Sequence, residues 1–254
     1  MADRDYRVVT ACRLCDSEQL TEALNLGETP LANELDGTEL FPLVVNLCES
    51  CGHHQLSIAV KPQRLWGPSY PYQSGTSPVW RKHLESLGDE VRSLVPTDNN
   101  SRYEVLEIAS NDGTLVDILN ERGLGAWGID PSGPNDPKRS LATADWPKAS
   151  KWMDYHFGMT NPLDFQCIIA LHVMAHVDDL HSFTAAVKEA LAPDGIFIVE
   201  VGELQHFDTI YHEHMSYHDA ESFGRFLNRH GLAVDRVERN SAQGGSLRFY
   251  ARHF

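Results

Sequence analysis

From residue 103 onward, short apolar runs alternate with amphipathic stretches. YEVLEIA (103–109) has strand length and is closed by the turn SNDGT. TLVDILNERG (114–123) then places apolar residues at helical spacing and stops at Gly123. GAWGID (125–130) reads as a second strand ending on an acid, Asp130. FQCIIAL (165–171), a helix around SFTAAVKEAL (182–191) and GIFIVEV (195–201) continue the alternation. LAVDRVER (232–239) and SLRFYAR (246–252) read as a terminal antiparallel pair. This order predicts an α/β fold: a mostly parallel, Rossmann-like sheet with helices on both faces and a terminal antiparallel strand. Ligands of such sheets bind at the carboxyl ends of the strands, near the switch point.

The first hundred residues read differently. LNLGETPLANEL (24–35) has turn residues and little periodicity, and KPQRLWGPSYPYQSGTSP (61–78) reads as an ordered loop. WRKHLESLGDEVRSLV (80–95) has helical apolar spacing, and PTDNNS breaks the chain after it. The organisation expected is a small module over 1–60, a connecting loop and helix over 61–100 that contributes to an active-site lid, and an α/β domain over 101–254.

Chemistry enters with the cysteines. Cys12, Cys15, Cys48 and Cys51 form two C-x2-C pairs with 32 residues between them. A two-residue gap lets a tight turn aim both sulfurs at one point, and two such turns complete a tetrahedral thiolate cage for a structural Zn²⁺. A redox pair, unligated thiols and an iron centre of the rubredoxin type are the alternatives. The metal would supply much of the folding free energy of so small a module. Cys167, inside FQCIIAL, reads as core.

The first strand–turn–helix carries Glu107, Ala109, Asn111, Asp112 and Gly113, and Asp130 ends the next strand 17 residues after Gly113. This is neither GxGxxG nor a P-loop. Two acids beside the turn suit a ligand with a cation, and an acid at the second strand end suits a ribose diol. S-adenosylmethionine (SAM) carries an ammonium, a sulfonium and a ribose. A strand-end cap is the plain alternative for Asp130. His172, His176, His206, His212, His214 and His218 cluster late in the chain. They read as acid–base groups or as capping and surface residues. Residues two apart on a helix or turn diverge, so His212 and His214 should not share a site.

The composition narrows the class. A formal net charge of −15 disfavours a nucleic-acid partner. No apolar run approaches the ~18 residues of a membrane span, and MADRDYRVVTACRLC lacks a signal-peptide core. A cytoplasmic protein is expected.

The order of motifs resembles the zinc-containing, SAM-dependent sugar C-methyltransferases that act on nucleotide-linked deoxy-4-ketosugars. CRLC, NLGETPLAN, FPLVVNLCESCGHHQL, YPYQSGTS with Trp80 and His83, VLEIASNDGTL, GIDPS, LHVMAHVDD, FDTIYHEHMSY and SAQGGSLR carry it. The resemblance implies a class I SAM-methyltransferase fold in which a proton is removed beside a ketone and the enolate takes the methyl group. It implies His214 as the base, supported by Tyr211 and Glu213. Tyr72, His172 and His176 would meet the substrate, His172 standing where the family usually has Asn. Glu107, Ala109, Asn111, Asp112, Gly113, Asp130, Pro131 and Ser132 would hold SAM, with Asp130 where Glu is commoner. Family members usually continue into another α/β domain, whereas this chain stops at Phe254. A smaller keto substrate, or a homodimer or partner subunit that completes the site, is therefore expected. An O- or N-methyltransferase on a small substrate, and an inactive SAM-fold recruitment protein, are the competing readings.

Overall fold

The computed structural model describes residues 5–34, 37–66, 73–96, 104–130, 164–203 and 209–254. Its main sheet is built from β6 (Val105–Ile108), β7 (Ala126–Ile129), β8 (Phe165–Leu171), β9 (Leu191–Gly202), β11 (Leu232–Asn240) and β12 (Ser246–His253). The strand order is β11-β12-β9-β8-β6-β7. β6 pairs in parallel with both β7 and β8, and β8 with β9. β12 runs antiparallel to β9 and to β11. The class I methyltransferase sheet expected from the sequence is present, with its terminal antiparallel pair.

Successive strand side chains point to opposite faces, so the buried runs feed two cores. Cys167, Ile169, Ile196 and Ile198 pack under α2 (Pro78–Leu94) and α3 (Thr114–Glu121). Ile168, Ala170, Phe197 and Val199 pack under α4 (Leu180–Ala190) and α5 (Ala220–Arg229). Cys167 is core, as its apolar run predicts. Each longer helix begins on a residue that suits its start. Ser77 accepts from Trp80 N ahead of Pro78, Asp179 from Ser182 N, and Asp219 from Glu221 N and Ser222 N.

The N-terminal module is a second sheet. β2 (Leu20–Thr29), β3 (Phe41–Cys48) and β4 (His54–Leu56) form an antiparallel meander, and β1 (Tyr6–Val8) pairs with β5 (Ile58–Val60). The turn-rich reading of residues 24–35 is corrected here, since residues up to Thr29 are strand. The signal was hidden for two reasons. β2 is an edge strand with no buried residue, so it shows no apolar alternation. Its register also shifts between Glu22 and Leu24 and again between Asn25 and Glu28, which breaks the period. A four-residue helix, α1 (Pro62–Leu65), interrupts the segment read as loop.

The two sheets are joined by β10 (Ser216–Tyr217), which adds to the module's sheet by pairing with β4. Cys12, Leu14 and Cys48 also belong to the core that lies under α4 and α5. The metal module is therefore packed into the α/β body.

Candidate active site

A cavity of about 320 Å³ opens at the carboxyl ends of the parallel strands. Ala109 follows β6, Asp130 follows β7, His172 follows β8, Gly202 ends β9 and Glu203 follows it, and all of them line it. This is the crevice that the topology requires. Its volume lies in the range of small-molecule sites.

One wall is the turn after β6. Ala109 has φ 60°, Asn111 φ 51° and Gly113 φ 80°, an unusual concentration of left-handed backbone. Side-chain bonds hold it. Asn111 N donates to Asp130 Oδ2 at 2.8 Å. Asn111 Oδ1 accepts from Ser74 N, and Asp112 Oδ2 from Gly75 N at 2.7 Å. Asp112 Oδ1 also accepts from Thr114 N and Oγ1, capping α3. Gly75 has to be glycine, because a Cβ there would sit 2.5 Å from Thr114 Oγ1. Ala109, Asn111 and Asp130 thus face the ligand space. Glu107, Asp112 and Gly113 stand behind it and are not among its lining residues. Burial, then the charges of Asp130 and Asp112, push the Glu107 carboxyl well above the ordinary range. Asn111 and Asp130 put one amide and one carboxylate on this wall, which suits a cationic, ribose-bearing donor. Pro131, Ser132 and Tyr72 lie outside the described residues.

The opposite wall is the segment Tyr211–Tyr217. His214 lines the cavity and His212 does not; the His212 ring packs edge-on to Phe41 at 5.7 Å. The divergence expected for residues two apart is observed. His214 Nδ1 lies 2.8 Å from the Thr209 carbonyl, which can only accept, so the proton sits on Nδ1. Nε2 then carries the lone pair and receives the Tyr211 hydroxyl at 2.8 Å. His176 repeats the arrangement: its Nδ1 donates to the Glu213 carbonyl at 2.7 Å, and its ring lies 4.9 Å from that of His214. The Glu213 side chain is buried outside the cavity lining and accepts from Asn33 Nδ2 at 3.0 Å. Asn33 closes NLGETPLAN, so that motif holds the histidine segment from behind.

Burial holds both imidazoles neutral. His214 is lowered to about 3 by desolvation and by the neighbouring His176, and His176 to about 4 by desolvation. Burial also lowers His218 to about 4. The unfolded chain binds these protons near 6.5, whereas the fold refuses them until about 4 or 3. Stability should therefore fall as pH drops below 6.5, and this contribution is fully lost near pH 3. Urea unfolding between pH 7 and pH 5 should show a falling midpoint. Calorimetry near pH 5 should find net proton uptake on unfolding. A midpoint independent of pH across this window contradicts the neutral assignment.

Sequence reasoning gave no role to Trp66, Trp80, Glu203, Tyr217 and Gln243–Gly245, all of which line the cavity. SAQGGSLR was visible as a motif; here it is a turn with Gln243 at φ 49° and Gly245 at φ 127°. Glu200 was missed although it carried a signal: an acid inside the apolar run GIFIVEV is costly unless it has partners.

The four paired cysteines converge. Cys15 and Cys48 Sγ are 3.5 Å apart, Cys12 and Cys51 Sγ 3.6 Å, and all four ligand atoms lie within 4.8 Å of one another. A tetrahedral cage with Zn–S near 2.3 Å spaces its sulfurs by about 3.8 Å, and a disulfide needs about 2.05 Å. The set fits a closed, structural zinc site. Without a cation, burial pushes the Cys12 thiol up and Cys51 up to about 11; a bound metal reverses that preference.

Comparison with known proteins follows the same division. A methyltransferase domain model matches residues 79–237, and a zinc binding domain model matches residues 12–66. C-methyltransferase NovU of Streptomyces niveus is 29% identical over 266 residues, covering 96% of this chain and 61% of that protein. The ubiquinone biosynthesis O-methyltransferase of Azorhizobium caulinodans is 30% identical over 121 residues, 46% of either chain. The chain thus spans about half to three-fifths of the length of these relatives. Among solved structures, the PH0226 protein of Pyrococcus horikoshii OT3 shares the fold, with a TM-score of 0.51 at 14% identity over 72% of this chain and 95% of that one. The chain belongs to the SAM-dependent methyltransferase family and carries a four-cysteine zinc binding domain before its methyltransferase domain.

Proposed function

We propose that the chain catalyses SAM-dependent methylation of a carbon next to a ketone, on a sugar-like or other small keto substrate. The observation that carries this is His214. It is a neutral imidazole with its Nδ1 proton fixed on a carbonyl and its Nε2 lone pair in the cavity that Asn111 and Asp130 share. When bound, SAM supplies an electrophilic methyl group on its sulfonium. The chain's part is to make the carbon nucleophilic. His214 Nε2 takes the proton once the Tyr211 hydroxyl, which it accepts in the ligand-free cavity, turns off that lone pair. A buried imidazole lowered to about 3 is a weak base in the ligand-free cavity. An enolate formed beside it supplies the counter-charge that favours the imidazolium. Trp66 and Trp80 line the same cavity.

The match to an O-methyltransferase favours a second reading, in which the same base deprotonates a hydroxyl. Deuterium exchange separates the two. In D₂O, a nucleotide-linked deoxy-4-ketosugar incubated with the protein should take up deuterium beside its ketone, and His214→Asn should abolish the uptake. Methyl transfer from SAM to a hydroxyl with no exchange at carbon contradicts the C-methylation reading.

A further inference from the structure

One charged side chain touches both histidine-bearing segments, and it comes from the cysteine knuckle. Arg13 stands between Cys12 and Cys15 and is 5% exposed. Its backbone N–H donates to Gln55 Oε1 at 2.7 Å, and Gln55 Nε2 donates back to the Ala11 carbonyl at 3.0 Å. Gln55 belongs to β4 and has no exposed surface. The backbone of residue 13 is therefore fixed against the module's own sheet.

The guanidinium reaches from there into the α/β body. Nη1 donates to the carbonyls of Leu56 at 3.0 Å and Met215 at 3.3 Å, and Nη2 to that of Ile58 at 3.4 Å. Nε meets Asp178 Oδ1 at 3.1 Å. Met215 directly follows His214, and Asp178 lies two residues after His176. Those two segments also meet each other. Met215 N donates to the Ala175 carbonyl at 2.7 Å, and His176 Nδ1 to the Glu213 carbonyl at 2.7 Å. Arg13 thus completes a loop of bonds, from its guanidinium to Met215, across to Ala175, along the chain to Asp178 and back. The His176 and His214 rings, 4.9 Å apart, are carried by the two sides of that loop.

Replacing a buried ion pair by apolar groups of similar volume is often neutral or stabilising, so stability alone is a weak reason for a buried guanidinium. What this side chain brings is direction. Its N–H donors lie in one rigid plane, and here they fix three carbonyls and a carboxylate at set angles. Arg13 is not among the residues that line the cavity, so any effect on the chemistry passes through the segments it holds.

We propose that Arg13 is a positioning residue for the reaction: its guanidinium ties the His214 segment to the His176 segment and so sets where the His214 lone pair lies in the cavity. The inference rests on the reading of His214 as the base that takes a carbon-bound proton. It gives the cysteine module a part in the reaction besides its own folding, because the turn between the first two metal ligands places the residue that does the tying. A base displaced by about 1 Å can lose about 10²-fold in rate.

Arg13→Lys is the informative variant, since it keeps the charge and loses the planar fork. The test uses the full, zinc-loaded chain and the same deoxy-4-ketosugar in D₂O, well below the thermal midpoint. Zinc content and S-adenosylhomocysteine affinity are measured beside the exchange rate. Nuclear magnetic resonance of isotope-labelled histidine follows the imidazole nitrogens. Arg13→Lys should keep its zinc and its S-adenosylhomocysteine affinity, exchange about 10²-fold more slowly, and shift the His214 and His176 nitrogen signals. A purely structural Arg13 would lower the thermal midpoint and leave the exchange rate of the folded protein and those signals unchanged. That result overturns the assignment and leaves the carbon-acid reading standing, and so does slower exchange that comes with lost zinc or lost S-adenosylhomocysteine affinity. If Arg13→Lys does not fold, Asp178→Asn decides, because the Asp178 side chain is 33% exposed and its replacement keeps the shape while removing the counter-charge. It should slow exchange about tenfold with the same signal shifts, and wild-type rate and signals overturn the assignment. A wild type that exchanges no deuterium overturns the carbon-acid reading, and this inference with it.

Discussion

Replacing His214 by Asn should lower turnover by about 10²–10⁴, the usual contribution of a positioned general base, while affinity for SAM stays nearly the same. The expectation comes from the division of the cavity. The wall proposed for the donor is Ala109, Asn111 and Asp130, held by the bonds of the β6 turn, and none of those bonds involves residues 209–217. His214 belongs to the opposite wall, through Tyr211 and the Thr209 carbonyl. Asn at 214 loses the Nε2 lone pair while staying polar and smaller, so it adds no clash. Single-turnover methyl transfer and calorimetric titration with SAM measure the two quantities separately. Unchanged turnover would mean that another group takes the proton. His176 is the nearest candidate, with its ring 4.9 Å away and its own Nδ1 committed to a carbonyl.

Cys12→Ser should lose the zinc and destabilise the whole protein, beyond the first sixty residues. Loss of a thiolate from a closed four-thiolate site removes binding free energy that is also folding free energy. The loss should spread because the knuckle is wired into the body. Arg13, between the first two ligands, is 5% exposed. Its Nη1 donates to the carbonyls of Leu56 at 3.0 Å and Met215 at 3.3 Å, and its Nε meets Asp178 at 3.1 Å. Met215 directly follows His214, and β10 pairs with β4 just beyond the second knuckle. Leu14 and Cys48 lie in the same core as Phe223 and Phe249. A loss of about 3 kcal/mol would lower the thermal midpoint by about 6–12 °C for a chain of this size. Metal analysis and thermal unfolding read the two effects. A variant that keeps one stoichiometric zinc has a different ligand set, and one that loses zinc with an unchanged midpoint refutes the coupling.

Much of this architecture was legible because its signals are local. β6, β7 and β8 are apolar runs closed by turn residues, and α3 stops at a glycine. The two C-x2-C pairs announce their geometry through spacing alone. β2 was illegible, since an edge strand with two register shifts has neither burial nor a period to betray it. The site was legible in part. His214, Tyr211, His176 and Asn111, each singled out from its motif, line one cavity. That Glu213 turns to Asn33 and Asp112 to Gly75 depends on tertiary contacts across 180 and 37 residues, which no local pattern encodes. Glu200 stood in plain sight as an acid in an apolar strand, and only its four partners from four other segments show why the fold tolerates it.

One crevice should hold the methyl donor against the ends of β6 and β7 and the base against the substrate. A crystal structure of the full chain with S-adenosylhomocysteine tests it most directly. The ligand should lie along Ala109, Asn111 and Asp130, with His214 and His172 facing the space left beside its sulfur. Density elsewhere on the molecule, or His214 turned out to solvent while the ligand is bound, would contradict the account.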